Sequence, residues 1–393
     1  MKTLYQSPTQ DSFVQNPYRV YAEVLAGDTL RYWNEYEMAA VFDADTIHAL
    51  LRDRRLGRAL PHGKIRTIPH HLRDFAALED VSMLEMEPPS HTRLRGLVLR
   101  AFTTARIKSL APEIETICKE LIDYFPTGEF DLLTAYCTQV PVRIIARLLG
   151  VPESMAPDLL RWSNAMVAMY QAGRTARIEH AANAAAKEFA EFMAEFIAAR
   201  RSTPRNDLIS ELIRAESADG RLSTQEMVGT CILLLNAGHE ATVHTLGNAV
   251  KALLEHNIPP RALAPECRAE TVEEVLRFDP PLHIFTRYAY ADLDIGSHTI
   301  RAGAQIALVL GAAGRDPRKC VVPHVFDPFR TPVGHAAFGG GTHFCVGAPL
   351  ARLEMQIALA ALFQHVPRLK LTSVPRYADT YHFHGVQQLM VSA

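Results

Sequence analysis

The amino-acid sequence predicts a mainly α protein with small β-sheets, folded as one large domain over residues 1–393. Three observations carry that expectation. From about Pro89 to Leu254 apolar residues recur at helical spacing, and the breaks fall at Gly and Pro, as in LIDYFPTGEFDL and LLGVPESM. Strand-like alternation is confined to TLRYWN near the N-terminus, to Tyr288–Ala313 and to a tail from Tyr381 to Val391. No internal repeat, low-complexity run or Gly/Ser/Pro-rich linker divides the chain, so RRSTPRND (200–207) and EHNIPPRALAPE (255–266) read as loops between helices.

Within this frame, His180–Arg200 is alanine-rich and strongly helix-forming. The run from Cys231 to Val250 reads as a long apolar helix interrupted by Ala237 and Gly238, small residues that let a flat partner approach the backbone. Glu274 and Arg277, in EEVLR, lie one helical turn apart, within reach of an intrahelical ion pair. VGAPLARLEMQIALAALF, from Val346, is a further apolar helix.

Composition narrows the function classes. The formal net charge is −2 and no half of the chain is strongly basic, so there is no nucleic-acid footprint. No apolar run approaches the ~20 residues of a membrane span and the first residues lack a signal-peptide core, which places the protein in the cytoplasm with no membrane partner. The six cysteines never form a C-x-x-C pair, unlike disulfide scaffolds and structural zinc sites. Most read as buried small hydrophobes.

Cys345 is the exception. It stands in FGGGTHFCVG, Phe338–Gly347, where Gly339, Gly340 and Gly341 are consecutive and Gly347 follows two residues after the sulfur. Glycine permits positive φ and close approach to the backbone. The helix after the loop puts the sulfur near an N-terminus, where amide donors and the dipole favour a thiolate. Such a thiolate suits a nucleophile, a zinc ligand or an axial haem ligand. A nucleophile wants a positioned base, zinc wants three or four ligands, and haem needs only one cysteine because the porphyrin supplies four nitrogens.

The pattern F-G-x-G-x-H-x-C-x-G, met by Phe338, Gly339, Gly341, His343, Cys345 and Gly347, resembles the haem-binding signature of the cytochrome P450 family. Other segments resemble that family in the right order: NPY (16–18), EPPSHTRLR (87–95), AGHEAT (237–242), EEVLR with its E-x-x-R pair, and GRDP (314–317). The resemblance spans essentially the whole chain and points to the soluble bacterial class. It implies a cytochrome P450-like domain with haem b between the AGHEAT helix and the helix after Cys345, the iron held by Cys345. It also implies propionate contacts from His91, Arg95, Arg287 and His343, each of which alone suits a surface or salt-bridged group equally well. Glu274 and Arg277 become a buried structural pair supporting the cysteine loop. The arginine that often completes that pair is expected within PHVFD, where this chain has Val325.

By the same resemblance, AGHEAT lines an oxygen groove in which an acid followed by threonine delivers protons. Here Glu240 is followed by Ala241, with Thr242 one place on and turned about 100° away. An ordered water or a polar substrate group is expected to replace the hydroxyl, with Glu240 linking to bulk water. The implied pocket comprises Val81, Leu84, Leu233, Asn236, Ala237, His283, Phe285, His382 and Phe383, mostly apolar with a few polar members. His382 and Phe383 would face opposite ways on a strand unless the chain turns there.

The activity implied is a monooxygenase using O2 on a small or medium, mostly apolar substrate. No flavin or iron–sulfur motif is present, so electrons are expected from a ferredoxin and ferredoxin reductase, with Arg93, Arg100 and Arg352 as docking contacts. Two other readings fit the same cysteine loop: a peroxide-driven or non-oxygenase haem-thiolate enzyme, and a non-catalytic haem sensor.

Overall fold

A helix of 32 residues, Thr224–Glu255, forms the spine of the molecule, whose computed structural model describes residues 1–219 and 222–393. Its start is fixed by a capping box: the Ser223 hydroxyl accepts from the Glu226 N–H while the Glu226 carboxylate accepts from the Ser223 N–H. Contrary to the interruption expected at Ala237 and Gly238, the helix runs unbroken through both. A single Gly costs a helix about 1 kcal/mol but removes no hydrogen bond, and packing on three sides outweighs it. Those sides are the helices Gln139–Leu149, Ala176–Ser202 and Ala348–His365.

These helices enclose the largest hydrophobic core, from Leu94 and Ile114 through Phe189 and Leu246 to Leu359. The break predicted at RRSTPRND falls between Ala176–Ser202 and the helix Leu208–Asp219. The one at EHNIPPRALAPE separates Thr224–Glu255 from Arg268–Phe278.

The β structure is small and peripheral. A six-stranded sheet runs in the order Lys2–Leu4, Leu30–Trp33, Met38–Val41, Gln305–Leu308, Phe285–Ala289, Leu56–Gly57. It covers a second core of Val41, Ile47, Ile306 and Leu308. A three-stranded sheet pairs Met390–Ser392 with Lys370–Leu371 and Glu129–Asp131. Two expectations change here. Leu310–Ala313 is a helical turn, not the end of a strand. Of the tail from Tyr381 to Val391, only the last residues are in a strand, and the rest turns back on itself.

A buried polar knot joins distant parts of the chain. Asp279 accepts from the Tyr18 hydroxyl at 2.6 Å and from the Tyr377 hydroxyl at 2.5 Å. The two nitrogens of His283 face the Tyr18 and Tyr21 hydroxyls at 3.2 and 2.9 Å, and Tyr21 in turn meets the Tyr381 hydroxyl at 2.5 Å. Arg315 lies over the Tyr18 ring, its carbon 4.0 Å from the centroid, and donates to the Phe278 carbonyl at 2.8 Å.

Candidate active site

The cysteine loop is built by backbone geometry. Gly339 and Gly341 have φ of 67° and 63°, a region L side chains rarely occupy. A Cβ on Gly341 would lie 2.2 Å from the Leu51 carbonyl oxygen, so this glycine makes room for protein rather than for a flat cofactor. The Cys345 N–H donates to the Phe338 carbonyl at 3.0 Å, closing the loop, and the helix Ala348–His365 starts three residues on. Burial pushes the Cys345 thiol up. Against it work the N–H groups of Gly347 and Ala348, which reach the sulfur, and the charges of Arg95 and Arg352. Burial wins, so the loop alone leaves a thiol, and a metal cation is needed to hold the anion.

The Thr224–Glu255 helix, which packs against the helix that follows the loop, carries an accessible stripe along its otherwise buried middle. Ala237 is exposed, and Leu233, Asn236, Gly238, Glu240 and Ala241 are partly so, whereas Leu234, Leu235, His239 and Thr242 are buried. The spacing is one helical face. Thr242 donates to the Gly238 carbonyl at 3.4 Å and Thr245 to the Ala241 carbonyl at 2.7 Å, so both hydroxyls are spent within the helix. Glu240 sits between His239 and His244, and its carboxyl lies far below the usual range. Burial pushes it up, but the hydrogen bonds and charges of the two imidazoles outweigh that.

Several cationic groups lie beside the loop. Arg287 is 3% exposed, yet among the described residues it has no carboxylate within ion-pair distance, and it donates to the Thr286 carbonyl at 2.8 Å. Burial, then the charge of Arg58, pulls its guanidinium down to about 10. His91 is buried with Nδ1 unpartnered, its ring 4.5 Å from that of His343. Burial, then His343 and Arg95, lowers it to about 4. His343 Nε2 meets the Glu87 carboxylate at 3.0 Å, and Arg95 donates to the Phe344 carbonyl at 2.6 Å. A buried guanidinium without an anion and an orphaned imidazole nitrogen are a demand for acceptor oxygens. A flat, dianionic cofactor against the accessible stripe meets it.

The E-x-x-R pair is buried and bidentate, with Arg277 Nε to Glu274 Oε2 at 2.6 Å and Nη2 to Oε1 at 2.7 Å. Its third partner is not at position 325 but at Arg330, whose Nε donates to Glu274 Oε1 at 3.1 Å. Val325 contributes its carbonyl instead, accepting from Arg277 Nη2 at 3.2 Å and Arg330 Nη2 at 2.8 Å.

The residues expected in the pocket are only partly gathered. Val81 packs onto the spine at Gly229, where a Cβ would lie 2.7 Å from its Cγ2. Leu84 is half-buried just before the Ser90–Ala101 helix, and Asn236 donates to the Met166 sulfur at 3.7 Å. Phe285 lies against Gly339, whose Cβ would be 3.0 Å from its ring. The chain turns at His382, so the His382 and Phe383 rings come together with centroids 5.2 Å apart instead of facing opposite ways. His382 also stacks on Tyr170 and Phe383 tilts against His244. His283 stands apart, enclosed in the tyrosine knot.

On the cysteine side, Arg352 is held by Glu273 at 2.6 and 2.9 Å and lies over the Phe338 ring, and Arg93 pairs with Glu226. Arg100 is exposed. Sequence reasoning did not single out Arg330, His239, His244 or Glu87. Of these only His244 carried a signal, its i+4 spacing from Glu240.

Comparison with known proteins places this arrangement. The cytochrome P450 family model matches residues 144–263 and 269–374. Polyketide biosynthesis cytochrome P450 PksS of Bacillus subtilis is 33% identical over 100% of this chain and 99% of its own. The 6-deoxyerythronolide B hydroxylase of Saccharopolyspora erythraea is 35% identical, covering 92% of this chain and 91% of its own. Among solved structures, P450BioI in complex with hexadec-9Z-enoic acid ligated acyl carrier protein superposes with a TM-score of 0.91 at 31% identity, over 97% of this chain and 99% of its own. The chain belongs to the cytochrome P450 family and is an enzyme of its monooxygenase type, for which the family implies a haem-iron cofactor, a substrate and O2. Among the described residues no helix is long and apolar enough to cross a membrane.

Proposed function

We propose that this chain holds haem b on Cys345 and inserts one oxygen atom from O2 into a small or medium, mostly apolar organic substrate with one polar handle. The observation that carries this is the pairing of the Cys345 loop with an accessible stripe on a buried helix, beside a buried guanidinium that lacks an anion. Bound haem supplies the iron at which O2 is reduced. Arg287, His91, Arg95 and His343 are the groups that would hold its propionates, with Glu87 as the carboxylate that orients His343. Phe338, Gly339 and Gly347 shape the bed around the sulfur. Arg352, clamped by Glu273, stiffens that bed and adds positive charge near it.

Val81, Leu84, Leu233, Asn236, Ala237, Phe285, His382 and Phe383 form the walls against which an apolar substrate excludes water. That relatives' names mention polyketide biosynthesis and a bound hexadecenoic acyl group supports an apolar substrate. A ferredoxin and its reductase deliver the electrons to the cysteine side. Arg93, Arg100 and Arg352 are its docking contacts, Arg93 and Arg352 being held in place by Glu226 and Glu273.

The absorption spectrum of the reduced protein with carbon monoxide tests the reading. The expected result is the strongly red-shifted band of thiolate-ligated haem, lost in Cys345→Ser; folded wild-type protein without that band refutes it. Ala241, which offers no hydroxyl to the groove, also favours a peroxide-driven route. Product formed with peroxide but no reductase supports that second reading.

A further inference from the structure

Within the tyrosine knot, one ligand atom each from Asp279, His283 and His384 lies within 4.8 Å of the others, and all three side chains are buried. Backbone contacts hold the segments that carry them together. The His384 N–H donates to the Pro281 carbonyl at 2.7 Å, and Leu282 bridges to Phe383. From the spine helix, the Asn248 amide donates to the Asp279 carbonyl at 3.2 Å and to the His384 carbonyl at 2.8 Å.

His384 carries the unmet demand of this cluster. The residue is 1% exposed, and its Nε2 has no hydrogen-bond partner among the described residues, although it faces Asp279 Oδ1 at 3.4 Å. A buried imidazole nitrogen that has given up water needs another partner. The ring is clamped where it stands, stacked at 3.9 Å and 16° on the Tyr377 ring and 4.3 Å from that of His283. Burial, above all, lowers His384 to about 3, and burial, then His384, holds His283 well below the usual range. Both rings are therefore neutral, the form that offers a lone pair to a metal.

The separations suit a small four-coordinate ion. Bonds of about 2.0–2.1 Å in a tetrahedron put neighbouring ligand atoms about 3.3–3.4 Å apart. Asp279 Oδ1 and His384 Nε2 are 3.4 Å apart, and the Tyr18 oxygen is 3.2 Å from His283 Nε2. Only the Tyr18 oxygen and Asp279 Oδ1 are closer, at 2.6 Å, with a proton between them. The atoms behind the ligands are already fixed. Asp279 Oδ2 accepts from the Tyr377 hydroxyl, and His283 Nδ1 meets the Tyr21 oxygen at 2.9 Å, so a ring that gives Nε2 to a metal donates its Nδ1 hydrogen to Tyr21.

We propose that Asp279 Oδ1, His283 Nε2, His384 Nε2 and the Tyr18 oxygen form a structural zinc site, separate from the cysteine loop. Zn2+ takes the place of the Tyr18 hydroxyl hydrogen, which leaves to solvent as H+, and nothing is oxidised or reduced. The two charges of the ion then match one carboxylate and one phenolate. Burial and the Asp279 charge push the Tyr18 phenol well up and Arg315 only partly opposes them, so the hydroxyl gives up its proton to the ion and not to water. The ion joins the helix Tyr18–Leu25 to the C-terminal turn that carries His382 and Phe383. It enters as that turn docks during folding, before the ligands are buried.

The test uses the holoenzyme made in zinc-supplemented medium, passed over a chelating resin and analysed for zinc by plasma mass spectrometry. One zinc per chain is expected in wild type, and about tenfold less in His384→Gln, whose amide is a poor ligand. His180→Ala, which removes an exposed ring 4.8 Å from that of His71, should leave the count unchanged. Tyr21→Phe, which deprives His283 Nδ1 of its acceptor, should release zinc to a chelator about tenfold more readily.

Crystal diffraction recorded on either side of the zinc absorption edge should place an anomalous peak among the four ligands, apart from any iron. Wild type from zinc-depleted medium is expected to unfold at a lower temperature than zinc-replete protein, and His384→Gln, shown to be folded by circular dichroism, should lose that difference. Folded wild type without zinc, a zinc count that ignores His384→Gln, or an anomalous peak elsewhere overturns the proposal.

Discussion

Arg330 Nε donates to Glu274 Oε1 at 3.1 Å and so shares one carboxylate oxygen with Arg277, which holds both. One buried carboxylate thus anchors a helix and the segment leading to the cysteine loop. Removing it strands two guanidinium groups. Glu274→Ala is expected to destabilise by about 3–5 kcal/mol, and Arg330→Ala by less than half of that because Arg277 remains paired. Urea unfolding midpoints check the order, and equal losses would contradict the geometry.

Gly341 tests how the cysteine loop is set. Gly341→Ala places a Cβ at φ 63° and against the Leu51 carbonyl. Strain of this kind costs about 1–3 kcal/mol, and here it acts within four residues of the sulfur. The expected result is a lower unfolding midpoint and a smaller red-shifted carbon monoxide band per mole of protein. Gly334→Ala, where a Cβ meets nothing, should leave both unchanged.

In the tyrosine knot, Asp279→Asn removes the carboxylate charge and sets an amide NH2 against a tyrosine hydroxyl. A loss of about 1–3 kcal/mol is expected from the buried tyrosine donor left without its acceptor. Tyr377→Phe deletes one hydrogen bond and should cost about 1–2 kcal/mol. Thermal unfolding of the two variants separates charge from hydrogen bonding.

Glu79 gives the fold a pH dependence. Burial, then the neighbouring Glu85 charge, pushes its carboxyl up to about 7, and the Tyr170 hydroxyl and Arg58 only partly oppose this. The folded state holds the proton more tightly than the unfolded chain does, whose glutamate titrates near about 4.3. Stability from that proton is full below the unfolded value and is lost as pH rises through about 7. Glu79→Gln should therefore gain on wild type at pH 8 and show little difference at pH 5. The reverse order in unfolding midpoints would contradict it.

Features written in contiguous residues were legible before the structure. The cysteine loop and the E-x-x-R pair are of this kind, because motif and geometry coincide within a turn or two. The third partner of Glu274 was not, since Arg330 reaches back across a loop while Val325 offers only its carbonyl. His382 and Phe383 read as opposed because alternation presumes a strand, and the local turn cancels it. The supposed break at Ala237–Gly238 failed for a related reason: low propensity does not end a helix that neighbours hold on three sides. His283 looked like a pocket wall by position, but two tyrosines far away in sequence claim its ring.

The tyrosine knot also bears on how the chain comes into being. Tyr18 and Tyr21 leave the ribosome more than 350 residues ahead of Tyr377 and Tyr381, which close the same network. Asp279 and His283 wait between them with their hydrogen bonds half made. Closure of the knot thus waits for synthesis past Tyr381, and a product truncated before Tyr377 leaves a buried aspartate without one of its two hydroxyl donors, a ready mark for proteolysis.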